Sequence, residues 1–217
     1  MQKPAVYWVG KAWLEAFGWT LEGEVPKDRR YVLIAAPHTS NWDLPFTLAA
    51  GWVFGIEPRW LGKHTLFENK VFGAFMRKLG GIPVDRRARH DMVKSCVELF
   101  NGSKTLELIV PPEGTRSTVK NWKSGFYHIA KGAQVPIVLG YLDFDRKVAG
   151  LGPPFVPTGD LAADMDRIRA FYSGIRGKHP DRQSEPRLRE EAAVLTPVAT
   201  APAGDEAVPP DLAAVTA

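Results

Sequence analysis

His38 and Asp43, five residues apart in the run HTSNWD, are the pair in this sequence best suited to proton-transfer chemistry. Residues five apart on one continuous helix face about 140° away from each other, so the two cannot meet there. They can meet if His38 lies in a loop and Asp43 in the first turn of the helix that follows. Ser40 and Asn41 are good N-cap residues, and Pro45 is tolerated only near a helix start. In that arrangement Asp43 accepts a hydrogen bond from one imidazole nitrogen and leaves the other as a general base. Taken alone, the same spacing also fits a histidine in a surface loop.

A second group of chemically able residues is PPEGTRS, from Pro111 to Ser117. Gly114 lets backbone pass close to a ligand, and Arg116 offers a planar fork to a phosphate. Glu113 can pair with Arg116 or receive a substrate hydroxyl, and a plain β-turn with a solvated ion pair fits equally. A third run, GGIPVDRR from Gly80 to Arg87, couples a flexible turn to an extended piece ending in Arg86 and Arg87, with Arg89 beyond. A basic solvated loop is its simplest reading.

The elements that must position these runs are short β-branched segments alternating with helical patterns. Strands are expected at 31–36, 106–110 and 135–142, and helices at 44–54, 92–100 and 122–131. That rhythm predicts an α/β fold, a single domain with a mostly parallel or mixed sheet flanked by helices. Ligands in such sheets gather beyond the carboxyl ends of strands, where both HTSNWD and PPEGTRS follow a predicted strand. Residues 1–180 are assigned to the folded domain. Residues 181–217 are rich in Ala, Pro, Glu and Arg without an aromatic, which predicts a flexible tail with at most one short helix at 187–194.

The chain's 217 residues suit one domain, and 45% of them are hydrophobic, which places it among globular proteins, so a disordered or fibrous chain is not the default. The net charge of +4 divides into about +8 on residues 1–180 and −4 on the tail, so the body favours anionic partners. Cys96 is the single cysteine, which rules out an internal disulfide and fits a reducing compartment. The five histidines have no metal-ligand spacing. The bases form no recognition helix or stacking platform for nucleic acid. No apolar run reaches membrane-spanning length. Trp8, Val9, Ala12, Trp13, Ala16 and Phe17 recur at helical spacing, so residues 1–20 are expected to form an amphipathic helix that lies on a membrane surface or packs on the sheet.

Together, HTSNWD (38–43), GGIPVDRR (80–87), PEGTRS (112–117) and VPIV (135–138) resemble, in order and spacing, the four blocks of the glycerolipid acyltransferase family, which acts on 1-acylglycerol-3-phosphate (lysophosphatidic acid). The resemblance spans residues 20–145. It implies a glycerol-3-phosphate-acyltransferase-like fold and an O-acyltransferase of phospholipid biosynthesis. The acyl donor would be acyl-CoA or acyl-carrier protein, the acceptor a lysolipid, with no cofactor. The enzyme would sit in the cytoplasm, peripheral at the inner face of the cell membrane. By the same resemblance His38, held by Asp43, deprotonates the acceptor hydroxyl, while Glu113, Gly114, Thr115, Arg116, Arg86 and Lys63 bind the acceptor's phosphate end. The chain has no G-x-S-x-G elbow or cysteine nucleophile, which agrees with direct transfer. Pro83 replaces the family's usual aromatic, and Leu139-Gly140 replaces a proline of the fourth block. Both departures bear on the acceptor, so another lysolipid, such as an aminolipid or glycolipid, is the alternative. A lipid-binding protein without catalysis is a third reading, against which the intact His38, Asp43 and Glu113 argue. Only thirty-seven residues precede the first block, so membrane attachment is expected to be reduced relative to longer members.

Overall fold

The computed structural model describes residues 3–84 and 89–194. Its strands are β1 (Thr20–Glu22), β2 (Arg30–Ala35), β3 (Pro58–Lys63), β4 (Gly81–Val84), β5 (Leu106–Val110), β6 (Ile137–Asp143) and β7 (Val148–Leu151). The α-helices are α1 (Ala5–Ala16), α2 (Asp43–Phe54), α3 (Lys70–Lys78), α4 (Arg89–Gly102), α5 (Gly125–Ala133), α6 (Leu161–Tyr172) and α7 (Arg189–Val194).

The seven strands form one sheet in the order β1-β7-β6-β2-β5-β3-β4. All neighbours run parallel except β6 and β7, so the sheet is mixed, as the alternating pattern predicts. β2 is central because RYVLIA is apolar on both faces, and a strand covered on both sides needs no polar alternation. Val32 and Ile34 point to one face, into a core shared with Phe100, Phe126, Ile129 and Ile168 of α4, α5 and α6. Tyr31 and Leu33 point to the other, with Ile56 and Ile109.

The steps from β2 to β3 and from β3 to β4 move one way along the sheet, while β4 to β5 and β5 to β6 move back. Right-handed crossovers therefore place α2 and α3 on one face and α4 and α5 on the other. α1 packs along α2, with Leu14 meeting Phe46 and Ala50 in a small core of their own. Cys96 is buried among apolar side chains, and desolvation pushes its thiol up to about 11, an inert structural position.

Two expectations differ from the structure. Neither Ser40 nor Asn41 is the N-cap of α2; the helix opens directly at Asp43, and the Ser40 hydroxyl accepts instead from the Trp42 N–H at 3.1 Å. Residues 181–194, which composition assigns to the tail, pack on the body: Leu188 is fully buried, and the Trp122 N–H donates to the Arg187 carbonyl at 2.7 Å. A segment this polar builds no core of its own; Leu188 inserts into the existing one, and Glu191 pairs with Arg169 at 2.6 Å. The rest of that tail, from residue 195, lies outside the described residues, as do Asp85, Arg86 and Arg87.

Candidate active site

The His38 loop leaves the carboxyl end of β2, after a cis Ala36–Pro37 peptide, and ends where α2 begins. His38 Nδ1 stands 3.0 Å from Asp43 Oδ2, at ion-pair distance. The same oxygen accepts the Thr39 and Ser40 N–H groups, each at 2.9 Å. Asp43 is buried at the first position of α2, where the helix dipole also favours a carboxylate. Two backbone donors on that oxygen hold the aspartate still, and with Nδ1 turned to the carboxylate, Nε2 is the nitrogen left to accept a proton. His38 is 20% exposed, accessible without being loose.

Glu113 follows β5, the neighbour of β2, and its buried carboxylate reaches back to the same loop. Its Oε1 accepts the His38 backbone N–H at 3.2 Å, while Oε2 is buried with no hydrogen-bond partner. Burial pushes the Glu113 carboxyl up to about 7, against the opposing pull of the His38 N–H. Asp43 Oδ1 is likewise buried and unpartnered. Two unsatisfied carboxylate oxygens beside one histidine are costly and call for an explanation beyond stability.

The other residues singled out in the sequence share this edge with less burial. Gly114 adopts φ +66, a left-handed turn that a side chain would strain, and it exposes Thr115 and Arg116 on the loop beyond β5. Lys63 is the last residue of β3, next to β5, and is exposed. So His38, Asp43 and Glu113 come together, with Gly114, Thr115, Arg116 and Lys63 along the same carboxyl edge, while Arg86 lies outside the described residues. Glu113 turns to the His38 amide and forms no ion pair with Arg116 among the described residues.

Behind His38 and Asp43 a cavity of about 50 Å³ runs between α2 and the sheet, walled by Leu33, Phe54, Ile109, Leu142 and Leu151. A histidine opening onto an apolar cavity suits a substrate with a reacting end and an oily tail.

Sequence reasoning missed the segment 173–191, which braces the site from outside. The His179 N–H donates to Thr39 Oγ1 at 3.1 Å, the Thr118 hydroxyl to the Asp181 carbonyl at 3.2 Å, and the Val119 N–H to Ser184 Oγ at 2.9 Å. The lone apolar residues Ile175 and Leu188 in a polar stretch are the only signal it leaves.

Known proteins resemble this chain in sequence and in fold. The family profile described as Acyltransferase matches residues 19–139, which holds both the His38 loop and the Glu113 loop. A 1-acyl-sn-glycerol-3-phosphate acyltransferase of Streptococcus pneumoniae is 33% identical over 116 residues, covering 52% of this chain and 41% of that protein. One of Bacillus subtilis is 30% identical over 116 residues, covering 52% of this chain and 56% of that protein. The chain thus spans about half the length of the curated relatives it matches. The crystal structure of the 1-acyl-sn-glycerophosphate acyltransferase of Thermotoga maritima has the same fold, with a TM-score of 0.56 at 22% identity over 77% of this chain and 74% of that one. With more than half of its length inside the family profile, the chain belongs to the acyltransferase family.

Proposed function

We propose that this chain moves a fatty acyl group from an acyl-CoA or acyl-carrier-protein thioester to the hydroxyl of a lysophospholipid, 1-acylglycerol-3-phosphate in the first place. The observation that carries the reading is the 3.0 Å contact between His38 Nδ1 and the buried Asp43. His38 Nε2 takes the acceptor's hydroxyl proton as that oxygen attacks the thioester carbonyl. The tetrahedral intermediate collapses with cleavage of the C–S bond, and the imidazolium returns its proton to the departing sulfur. Asp43 stabilises the imidazolium between these two steps. The cavity behind His38 receives the start of the acyl chain.

Lys63, Gly114, Thr115 and Arg116 hold the acceptor's phosphate along the same edge, with Arg86 contributing from beyond β4. Glu113 acts through the His38 loop and not on the phosphate, which its own charge would repel. The test is transfer from labelled acyl-CoA to lysophosphatidic acid: His38→Ala is expected to lower kcat roughly 10³-fold. Full activity in that variant would refute the mechanism.

The acceptor lies in a membrane, and one face of the fold suits contact with it. Trp8, Val9, Phe17, Trp42, Phe72 and Phe75 are exposed apolar residues on α1, the start of α2 and α3, all on the same side of the sheet. Lys70, Arg77 and Lys78 of α3 add positive charge to that side. Among the described residues no helix is long and apolar enough to cross a membrane. In co-sedimentation with phosphatidylglycerol vesicles, the double variant Phe72→Ser/Phe75→Ser is expected to lose most of the bound fraction. Unchanged sedimentation would remove this face from consideration.

A further inference from the structure

We propose that the strap from Arg176 to Arg182 carries a second anion site, centred on Lys178, which receives the phosphate of the acyl donor's pantetheine arm. The proposal rests on the acyl-transfer reading above. Direct transfer brings two substrates to His38 at once, and both bear phosphate, so two anion positions must flank the base.

The sheet order separates the cations in this way. Lys63 ends β3, two strands from β2 on the β5 side. Lys178 lies on the opposite side: its Nζ is 5.5 Å from the ring centre of Phe144, which directly follows β6, and 5.4 Å from that of Trp42 in the His38 loop. Among the described residues no carboxylate pairs with Lys178, and its side chain is exposed. Contact with ring faces orients the ammonium and leaves its N–H donors available to a phosphate.

The strap is held as a ligand-binding loop needs to be. The Phe144 N–H donates to the Arg176 carbonyl at 2.9 Å, and the His179 N–H to Thr39 Oγ1 at 3.1 Å. These bonds fix the backbone two residues before Lys178 and one residue after it. Gly177 allows the close approach, since a Cβ there would stand 2.8 Å from Thr39 Oγ1. Thr39 is itself fully buried and adjacent to His38, so Lys178 is tied to the base through one rigid residue. Arg176 adds positive potential beside Lys178, while Arg182 is paired with Asp181 at 3.9 Å. The family profile ends at residue 139, so none of its blocks reaches this segment.

The test compares the full-length chain with Lys178→Met, which keeps the aliphatic contact with the rings, and Lys178→Arg, which keeps the charge. Donors are acyl-CoA, acyl-4′-phosphopantetheine and acyl-pantetheine, the last without phosphate; acceptors are lysophosphatidic acid and monoacylglycerol. Lys178→Met is expected to raise KM about tenfold for both phosphorylated donors and to leave acyl-pantetheine within about twofold. Lys178→Arg should restore most of the loss. An equal loss with acyl-pantetheine, or a loss confined to the KM of lysophosphatidic acid, overturns the proposal; the latter would assign the strap to the acceptor headgroup. If the wild-type chain transfers no acyl group from any donor, the acyl-transfer reading itself has failed. Calorimetric binding of CoA then decides the strap separately, and equal affinity for wild type and Lys178→Met overturns it.

Discussion

Glu107 and Glu113 stand at the two ends of β5, and each is only 3% exposed. At the amino end, Glu107 is saturated: Oε1 accepts the Tyr31 hydroxyl at 2.8 Å and meets Arg29 Nε, and Oε2 accepts the Glu57 N–H. Burial and the neighbouring carboxylate push the Tyr31 phenol well above its ordinary range, so it stays a donor at every working pH. Beyond the carboxyl end, Glu113 accepts the His38 backbone N–H, has no ion pair among the described residues and keeps a bare Oε2. The same residue type, one near the start of β5 and one in the loop just beyond its end, at the same depth, thus meets opposite treatment. A buried carboxylate that only supports the fold is given every partner it can use. One left short of partners beside a histidine is kept for what its charge does there.

The contrast predicts opposite outcomes for the two residues. Glu107→Ala removes the acceptor from Arg29, Tyr31 and the Glu57 amide together, and is expected to cost about 3 kcal/mol of stability in chemical denaturation. The exposed flank of Arg29 keeps the loss at the low end for a buried ion pair. Turnover per folded molecule should stay within about twofold of wild type, because the site lies at the other end of the strand. A large fall in turnover with unchanged stability would erase the distinction between the two glutamates.

How far the sequence discloses this arrangement depends on the range of each contact. β2 and β5 are visible as β-branched runs. The meeting of His38 and Asp43 follows from the helix start near Pro45, because that contact is local. Even there, the capping chemistry differs from expectation: Asp43 spends one oxygen on His38, Thr39 and Ser40 together, which a search for an N-cap does not anticipate. The direction of the Glu113 side chain is not legible, since a turn with Glu and Arg three apart suits an ion pair as well as a buried carboxylate. The strap is hidden for a stronger reason. Its bond from His179 to Thr39 joins residues 140 apart, and a segment docked by backbone hydrogen bonds and one leucine leaves no periodic pattern. The edge strand β1 and its neighbour β7 are three and four residues long, too short for alternation to register.

An effect of opposite sign is expected at Glu113. Its carboxyl titrates at about 7 in the folded chain against an ordinary value of 4.5. Below pH 4.5 it is protonated both folded and unfolded and makes no difference. As pH rises from 4.5 to 7 the unfolded chain releases the proton while the folded one keeps it, so the folded state loses stability relative to the unfolded. Above pH 7 the whole cost is present and constant, up to about 3 kcal/mol from the size of the shift. Glu113→Gln cannot ionise, yet its amide oxygen can still accept the His38 N–H. The variant should therefore gain stability over wild type as denaturation is moved from pH 4.5 to pH 8. Its kcat should nevertheless fall about tenfold, with little change in KM. In the proposed transfer, an ionised Glu113 favours the imidazolium that His38 would become in the transition state, and the neutral amide does not. Parallel pH–stability curves for the two proteins would show that Glu113 is an ordinary supporting carboxylate like Glu107. A variant more stable above pH 7 and slower in turnover would show that the strand gives up stability at one end to hold a charge beside His38.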